Sequence, residues 1–251
     1  MGIKTVAKNA LQAAGFELLR THTADGRRIA APAFACAVRY HFHSKSQLLQ
    51  DIFVLAALGQ RRNGFFVEFG ASDGITLSNT YMLEKEFGWT GILSEPNRTL
   101  APKVRANRSS CAVDSRCVWS ATGETVLFTE TPECGELSTV TQFAQSDQHD
   151  RTKAPIGYQV ETVSLDDLLV QHKAPAEIDY LSIDTEGSEL TILRALDFNR
   201  WQFNVITVEH NWVQSARDGI HSLLTSHGYS RVLTELSQFD DWYIRNGLQT
   251  A

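Results

Sequence analysis

Two acidic side chains bracket a glycine-bearing turn in the first half of the chain. Glu68 opens the segment Phe69-Gly70-Ala71-Ser72-Asp73-Gly74, and Glu95 follows Gly74 by 21 positions. Small residues in such a turn let the backbone approach a ligand closely. A carboxylate at the end of the next strand can accept hydrogen bonds from both hydroxyls of a ribose. A pyrophosphate site would instead need G-x-G-x-x-G, and the second and third glycines are missing from that spacing. Glu68 would repel a diphosphate but can hold the ammonium of an amino-acid moiety, directly or through water. A nucleoside joined to an amino acid satisfies both acids, so S-adenosylmethionine is the expected cofactor.

A second group of titratable residues lies further on. Asp184 follows the apolar run 178–183, Glu186 comes two positions later, and Glu209-His210 follows the run 205–208. If both runs are parallel strands, their ends meet at the edge that carries the cofactor. Methyl transfer to oxygen is a displacement in which a hydroxyl loses its proton while the sulfonium is held in line. Asp184, Glu186 and His210 are therefore the expected catalytic group, with Glu186, raised by its acidic neighbours, or His210 as general base. Structural alternatives stand beside these roles. Glu186 and Glu189 could be acids that favour the N-terminus of a helix over 188–196, and His210 a hydrogen-bonded strand-end histidine.

The elements that must position these residues follow from hydrophobic periodicity. After the breaker 61–64, short apolar runs alternate with helix-like stretches, which predicts a parallel sheet wrapped by helices. Strands are expected over 65–69, 91–94, 116–119, 178–183 and 205–208. An edge strand is expected through Phe128, with helices over 78–87, 98–106, 163–170 and 188–196. A helix over 216–227 then leads into strands 229–234 and 242–244, a closing hairpin. Residues 129–157 are polar and turn-rich, too long for an ordinary connection, and read as a lid or substrate loop.

Upstream, apolar positions over 6–19 recur at helical spacing, 21–34 reads as irregular and partly basic, and 44–58 as helical. His41 and His43 alternate as on one face of an extended segment, a pair too small to complete a metal site. Trp212 and Trp242, near strand ends, suit either sugar stacking or the core.

Taken together, the turn 68–74, Ser94-Glu95-Pro96-Asn97 and above all the segment 179–189, which runs Asp-Tyr-Leu-Ser-Ile-Asp-Thr-Glu-Gly-Ser-Glu, resemble the FkbM family of methyltransferases. Segments 46–51, 163–168 and 208–211 add to the likeness, which spans roughly 46–244. The resemblance implies a seven-stranded Rossmann-like class I methyltransferase sheet with helices on both faces and a C-terminal antiparallel hairpin. It also implies O-methylation of a sugar, polysaccharide or secondary metabolite. By position it puts Glu68, Gly70, Asp73, Ser78 and Asn79 around the methionine end, Glu95 on the ribose and Ser120 near the adenine. Ala71, Pro96 and Asp184 complete the cofactor-lining set. Glu68 stands where the family more often has Asp, and Ser72 where Asn is frequent. Asp184, Glu209 and His210 further resemble the metal site of enzymes such as catechol O-methyltransferase. A divalent cation there could bind the acceptor oxygens, Mg²⁺ through carboxylates or Mn²⁺ if the histidine joins.

Composition narrows the remaining classes. The 43% apolar content supports one large α/β unit, read as an N-terminal helical extension (1–45) and a methyltransferase domain (46–251). A net charge of -6 without a basic excess argues against nucleic acid and for a carbohydrate or small-molecule hydroxyl acceptor. Four cysteines without a CxxC pair read as reduced thiols, and no apolar run reaches the ~18 residues of a membrane span, so the cytoplasm is expected. Nothing selects between monomer and homo-oligomer. Two competing functions share these features: a nicotinamide-dependent oxidoreductase, and a binding module without turnover.

Overall fold

The computed structural model describes residues 24–151 and 154–248. Helices α1 (Ala24–Tyr40) and α2 (Gln50–Ala57) precede β1 (Phe65–Phe69), α3 (Tyr81–Phe87), β2 (Thr90–Ser94), α4 (Ala101–Asn107) and β3 (Ala112–Asp114). Three strands follow, β4 (Cys117–Trp119), β5 (Thr125–Glu130) and β6 (Thr139–Val140). Then come β7 (Ile156–Ser164), α5 (Leu165–Gln171), β8 (Glu177–Ile183), α6 (Glu189–Ala195) and β9 (Gln202–Glu209). The described chain ends through α7 (Gln214–Ser226), β10 (Tyr229–Val232) and β11 (Asp240–Arg245). The opening helix expected over 6–19 lies outside the described residues.

Seven strands form the main sheet in the order β10-β11-β9-β8-β1-β2-β3. β3, β2, β1, β8 and β9 are parallel, whereas β11 runs antiparallel to β9 and β10 antiparallel to β11. This is the expected α/β architecture with its terminal hairpin. Alternation along each strand explains the layers. Phe66, Tyr180 and Val205 point into one apolar cluster with α1, α2 and α3. Val67, Leu181 and Ile206 point into the other, with α5, α6 and α7. Each such side chain removed from water contributes about 1.5–3 kcal/mol, so the sheet is clamped from both faces. Ile29 and Cys36 of α1 are buried in the same cluster as α2.

Several local expectations are corrected. The third strand of the main sheet is β3 at 112–114 rather than 116–119. Asp114 accepts from the Arg116 amide and guanidinium at 2.9 and 2.6 Å, a turn that redirects the chain. β4 then enters a second, four-stranded sheet in the order β4-β7-β5-β6, in which β5 is interior rather than an edge. The helix expected over 163–170 starts only at Leu165, because Val163 and Ser164 pair with β4 and Ser164 Oγ caps the helix by accepting the Asp167 amide at 3.1 Å. Residues 24–40, read as irregular over 21–34, are helical despite Pro32. The many alanines around that proline favour the helix, and only one backbone donor is lost. His41 and His43 lie in the turn after α1, not on an extended strand.

Candidate active site

Strand register brings the predicted residues to one edge. Phe69 pairs with Ser94 and with Ile183, and Ile183 pairs with Val208. The next residue on each strand is therefore Gly70, Glu95, Asp184 or Glu209, in a row across the carboxyl ends. The order reverses direction between β1 and β8, the switch point at which open α/β sheets hold ligands. Gly70 is demanded by packing as well as by any ligand. Its φ is +71°, and a Cβ there would lie 1.7 Å from the Asp184 carbonyl oxygen.

Two adjoining hollows open on this row and share Phe69, Gly70, Ser72, Glu136 and Asp184. The narrower arm is lined by Glu95, Pro96, Cys117, Val118 and Phe128. Glu95 is buried and accepts the Ser72 and Asn97 amides at 2.9 Å each. Each carboxylate oxygen keeps a further lone pair for a ribose hydroxyl. Burial pushes the Glu95 carboxyl up to about 8, reinforced by Asp184 and Glu130 and opposed by the two amides. Ser120, expected near the adenine, is exposed and outside this lining.

The wider arm is a cavity of about 470 Å³ whose walls include Glu68, Asn79, Ser182, Asp184, Glu186 and Glu209. Glu68 is engaged on all sides. It accepts from Ser78 Oγ (3.1 Å), the Asn79 amide (2.7 Å) and Thr80 Oγ1 (2.5 Å), and its carboxylate lies 3.6 Å from the buried Arg108 guanidinium. These bonds fix the 78–80 segment. Asn79 Nδ2 in turn donates to Ser182 Oγ at 3.0 Å, while its Oδ1 is buried without a partner, an acceptor suited to an ammonium. Asp73 and Ala71 stand behind the cavity. Asp73 accepts the Ile75 and Thr76 amides at 2.8 and 2.7 Å and so closes the turn, and Ala71 packs in the core.

Asp184, Glu186 and Glu209 converge, with one oxygen of each within 4.8 Å of the others. Burial raises all three. Asp184 is pushed up to about 6 and Glu186 to about 9, the latter also by the charge of Asp184, and Glu209 is pushed well above the carboxylate range. Asn211 Nδ2 donates to Glu186 at 3.0 Å and to Glu209 at 2.9 Å. The same Oε2 of Glu186 also accepts from the buried Arg151 guanidinium at 2.5 Å, and Arg151 in turn holds Asp147. Glu189 accepts the Thr185 and Gly187 amides at 2.9 and 3.0 Å, a capping role for the turn before α6.

His210 does not join the carboxylates. Its Nδ1 accepts the Trp212 amide at 3.2 Å, and its Nε2, buried without a hydrogen bond, lies 3.9 Å from Asp241. Nδ1 has no lone pair left for a metal, and Nε2 carries the proton. Burial lowers its pKa, so the ring is neutral.

Residues 129–151 roof the cleft. Gly135, Glu136 and Ser138 line the narrow arm, and Leu137, Gln148 and His149 the wide one. The roof is tied to the 184–188 turn by Arg151 and by Thr139 Oγ1, which donates to the Glu186 carbonyl at 2.8 Å. Sequence reasoning missed Thr80, Arg108 and Arg151, which hold Glu68 and Glu186, and Cys117, Val118 and Phe128 in the narrow arm. None stands in a chemical motif, and each reaches the site through a contact distant in the chain. Asn211 was within sight as the neighbour of Glu209-His210.

The chain is similar to a solved O-methyltransferase from Bacillus cereus in complex with SAH (12% identity, 98% of this chain and 100% of that one, TM-score 0.45). It is also similar to precorrin-6y C5,15-methyltransferase from Geobacter metallireducens (12% identity, 77% and 85%, TM-score 0.42). A third likeness is to a methyltransferase from Pyrococcus furiosus (12% identity, 87% and 95%, TM-score 0.40). No curated protein matches the chain. The family profile described as "Methyltransferase FkbM domain" matches residues 68–231, well over half of the chain and both arms of the cleft, so the chain belongs to the FkbM family of S-adenosylmethionine-dependent methyltransferases.

Proposed function

We propose that this chain transfers a methyl group from S-adenosylmethionine to a hydroxyl oxygen of a carbohydrate or other small metabolite. The supporting observation is the single cleft in which Glu95 faces one arm and three carboxylates close the other, with Asp184 at the junction. Bound S-adenosylmethionine supplies an electrophilic methyl on a sulfonium. Glu95 holds its ribose, and Asn79 with the Glu68-braced segment receives the methionine end. Asp184, raised least of the three, to about 6, is ionised at neutral pH and takes the proton of the acceptor hydroxyl. Glu209, kept protonated, stabilises the Asp184 carboxylate by donating to it.

Calorimetry tests the cofactor half. Glu95→Ala should weaken S-adenosylhomocysteine binding about 10- to 100-fold, the loss of two buried hydrogen bonds to the ribose. An unchanged affinity would sink it. A labelled-methyl screen against glycans and hydroxylated metabolites tests the acceptor half, and absence of any product would favour a binding module.

The convergence of three acids supports a second reading of the same step, assistance by a divalent cation. Asp184, Glu186 and Glu209 would hold it, and hard oxygen donors suit Mg²⁺ or Mn²⁺. The cation would acidify the acceptor hydroxyl. Arg151 and Asn211 already compensate part of this charge, so the proton-sharing cluster is the leading reading. Turnover abolished by EDTA and restored by one divalent ion would reverse that order.

The catalytic unit is read as 46–251, with 1–45 as an extension on it. Among the described residues no helix is long and apolar enough to cross a membrane. The four cysteines are unpaired, which fits a reducing cytoplasm.

A further inference from the structure

The wide arm of the cleft contains two large apolar side chains that face water. Trp212 is 57% exposed and Leu77 40%, and both line the cavity. Both stand on left-handed backbone, with φ of 61° and 59°, and Asn211 before the tryptophan is left-handed as well, at 47°. Non-glycine residues in that region are strained and persist only where their surroundings over-determine them. Here they are over-determined. The His210 and Asn211 amides both donate to the Phe239 carbonyl, at 2.8 and 3.1 Å, and the Val213 amide donates to the His210 carbonyl at 2.8 Å. The Trp212 amide donates to His210 Nδ1, and the two rings meet edge-on with centroids 6.1 Å apart. His210, excluded from the carboxylate cluster, thus acts on the turn that carries the indole. Trp242, by contrast, is buried and stacked on Phe53 at 4.7 Å, a core residue.

The charge of the cavity narrows what could lie on that indole. Glu68, Glu136, Asp184, Glu186 and Glu209 line it, and no lysine or arginine does among the described residues. An anionic group would meet the ionised Asp184 at low effective dielectric, with no lining cation to offset it. A neutral ring with one apolar face would stack on the indole, and its hydroxyls would meet Gln47, Gln148 and His149 at the same wall.

We propose that Trp212 is the acceptor-reading residue, the platform for the ring face of an uncharged, hydroxyl-bearing acceptor, and that His210 is the positioning residue that holds it. This rests on the cleft being a methyl-transfer site and adds the chemical selection it makes. Phosphorylated and nucleotide-linked forms of the same ring are excluded.

The test uses the full chain loaded with S-adenosylhomocysteine. Phenyl β-glucoside and its 6-phosphate serve as neutral and anionic probes, with affinities read by saturation-transfer NMR. The neutral probe should bind at least about tenfold more tightly than the phosphate. Trp212→Ala should weaken it by about tenfold while Trp212→Phe stays within about threefold, the difference an aromatic face makes. His210→Gln should weaken it as Trp212→Ala does, with S-adenosylhomocysteine affinity unchanged in all three variants. Equal binding by wild type and Trp212→Ala overturns the proposal. So does equal binding of the two probes, or no binding of the neutral probe to the wild type. Failure of S-adenosylhomocysteine to bind the wild type would instead remove the cofactor reading, and the same titration without it still decides the platform.

Discussion

Asp184 and Glu209 are carboxylates on adjacent strand ends, yet their environments assign them opposite protonation. Asp184 is pushed up only to about 6, because a hydrogen bond from Glu209 opposes the burial that raises it, whereas Glu209 rises much further by burial and by the charges of Asp184 and Glu186. A base must be ionised to accept a proton, so turnover should rise with pH through about 6 and fall away below it. Asp184→Asn should lower kcat by about 10²- to 10⁴-fold, the usual contribution of a positioned base. Glu209→Gln imitates the protonated state and should keep most of the turnover. A pH–rate profile with both variants decides the point. Equal collapse of both, with a flat profile near pH 6, would move the assignment to the divalent-cation reading, in which both oxygens are ligands.

At the scale of elements, the roof over 129–151 is held down by one buried charge. Arg151 spans Asp147 on the roof and Glu186 on the floor, and all three are buried or nearly so. Breaking a buried pair by removing one partner costs about 3–5 kcal/mol, because the other charge is stranded. Arg151→Gln should therefore lower the melting temperature by roughly 10 °C and speed proteolytic cleavage within 131–155. Arg151→Gln combined with Asp147→Asn, which removes the stranded charge, should recover much of the loss. A double variant no better than the single would show that Arg151 acts through Glu186 instead. If the roof is also a lid, cofactor and acceptor together should slow cleavage in the wild type, and equal cleavage with and without ligands would make it a passive cover.

Across the whole molecule, the raised carboxyls outweigh the depressed ones at neutral pH. Glu95 is pushed up to about 8, Glu186 to about 9, and Asp51 and Asp184 to about 6, all chiefly by burial. Unfolded carboxyls titrate near 4, so between pH 4.5 and 9 the folded chain binds more protons than the unfolded one, and stability falls as pH rises through that window. Glu84 moves the other way, down to about 2 through Lys85, Ser110 and Arg108, which outweigh its burial. Its contribution is present above the unfolded pKa and is lost only as pH falls through about 2. The melting temperature should thus decline from pH 5 to pH 9 by about 5 °C or more, since one unit of net shift is about 1.4 kcal/mol. Calorimetric scans at matched ionic strength check this, and a rise toward pH 9 would contradict it.

Much of this molecule was legible before any coordinates. Glu68, the glycine turn, Glu95, Asp184 and Glu209 could be read because each follows an apolar run, and parallel strands deliver their C-terminal neighbours to one edge whatever the details. The parallel sheet wrapped by helices followed from the same alternation, and its count of seven strands from the family resemblance. Only the tertiary structure decided which groups touch. It put Cys117 in a second sheet, because Asp114 turns the chain at Arg116. It turned His210 away from the carboxylate cluster, because the Trp212 amide occupies its lone pair. It placed Arg108 and Arg151 behind Glu68 and Glu186, contacts across 40 and 35 positions of chain. Strand ends are local and repeat with a period that sequence displays, whereas ring orientation and ion pairing depend on neighbours that only the folded chain supplies.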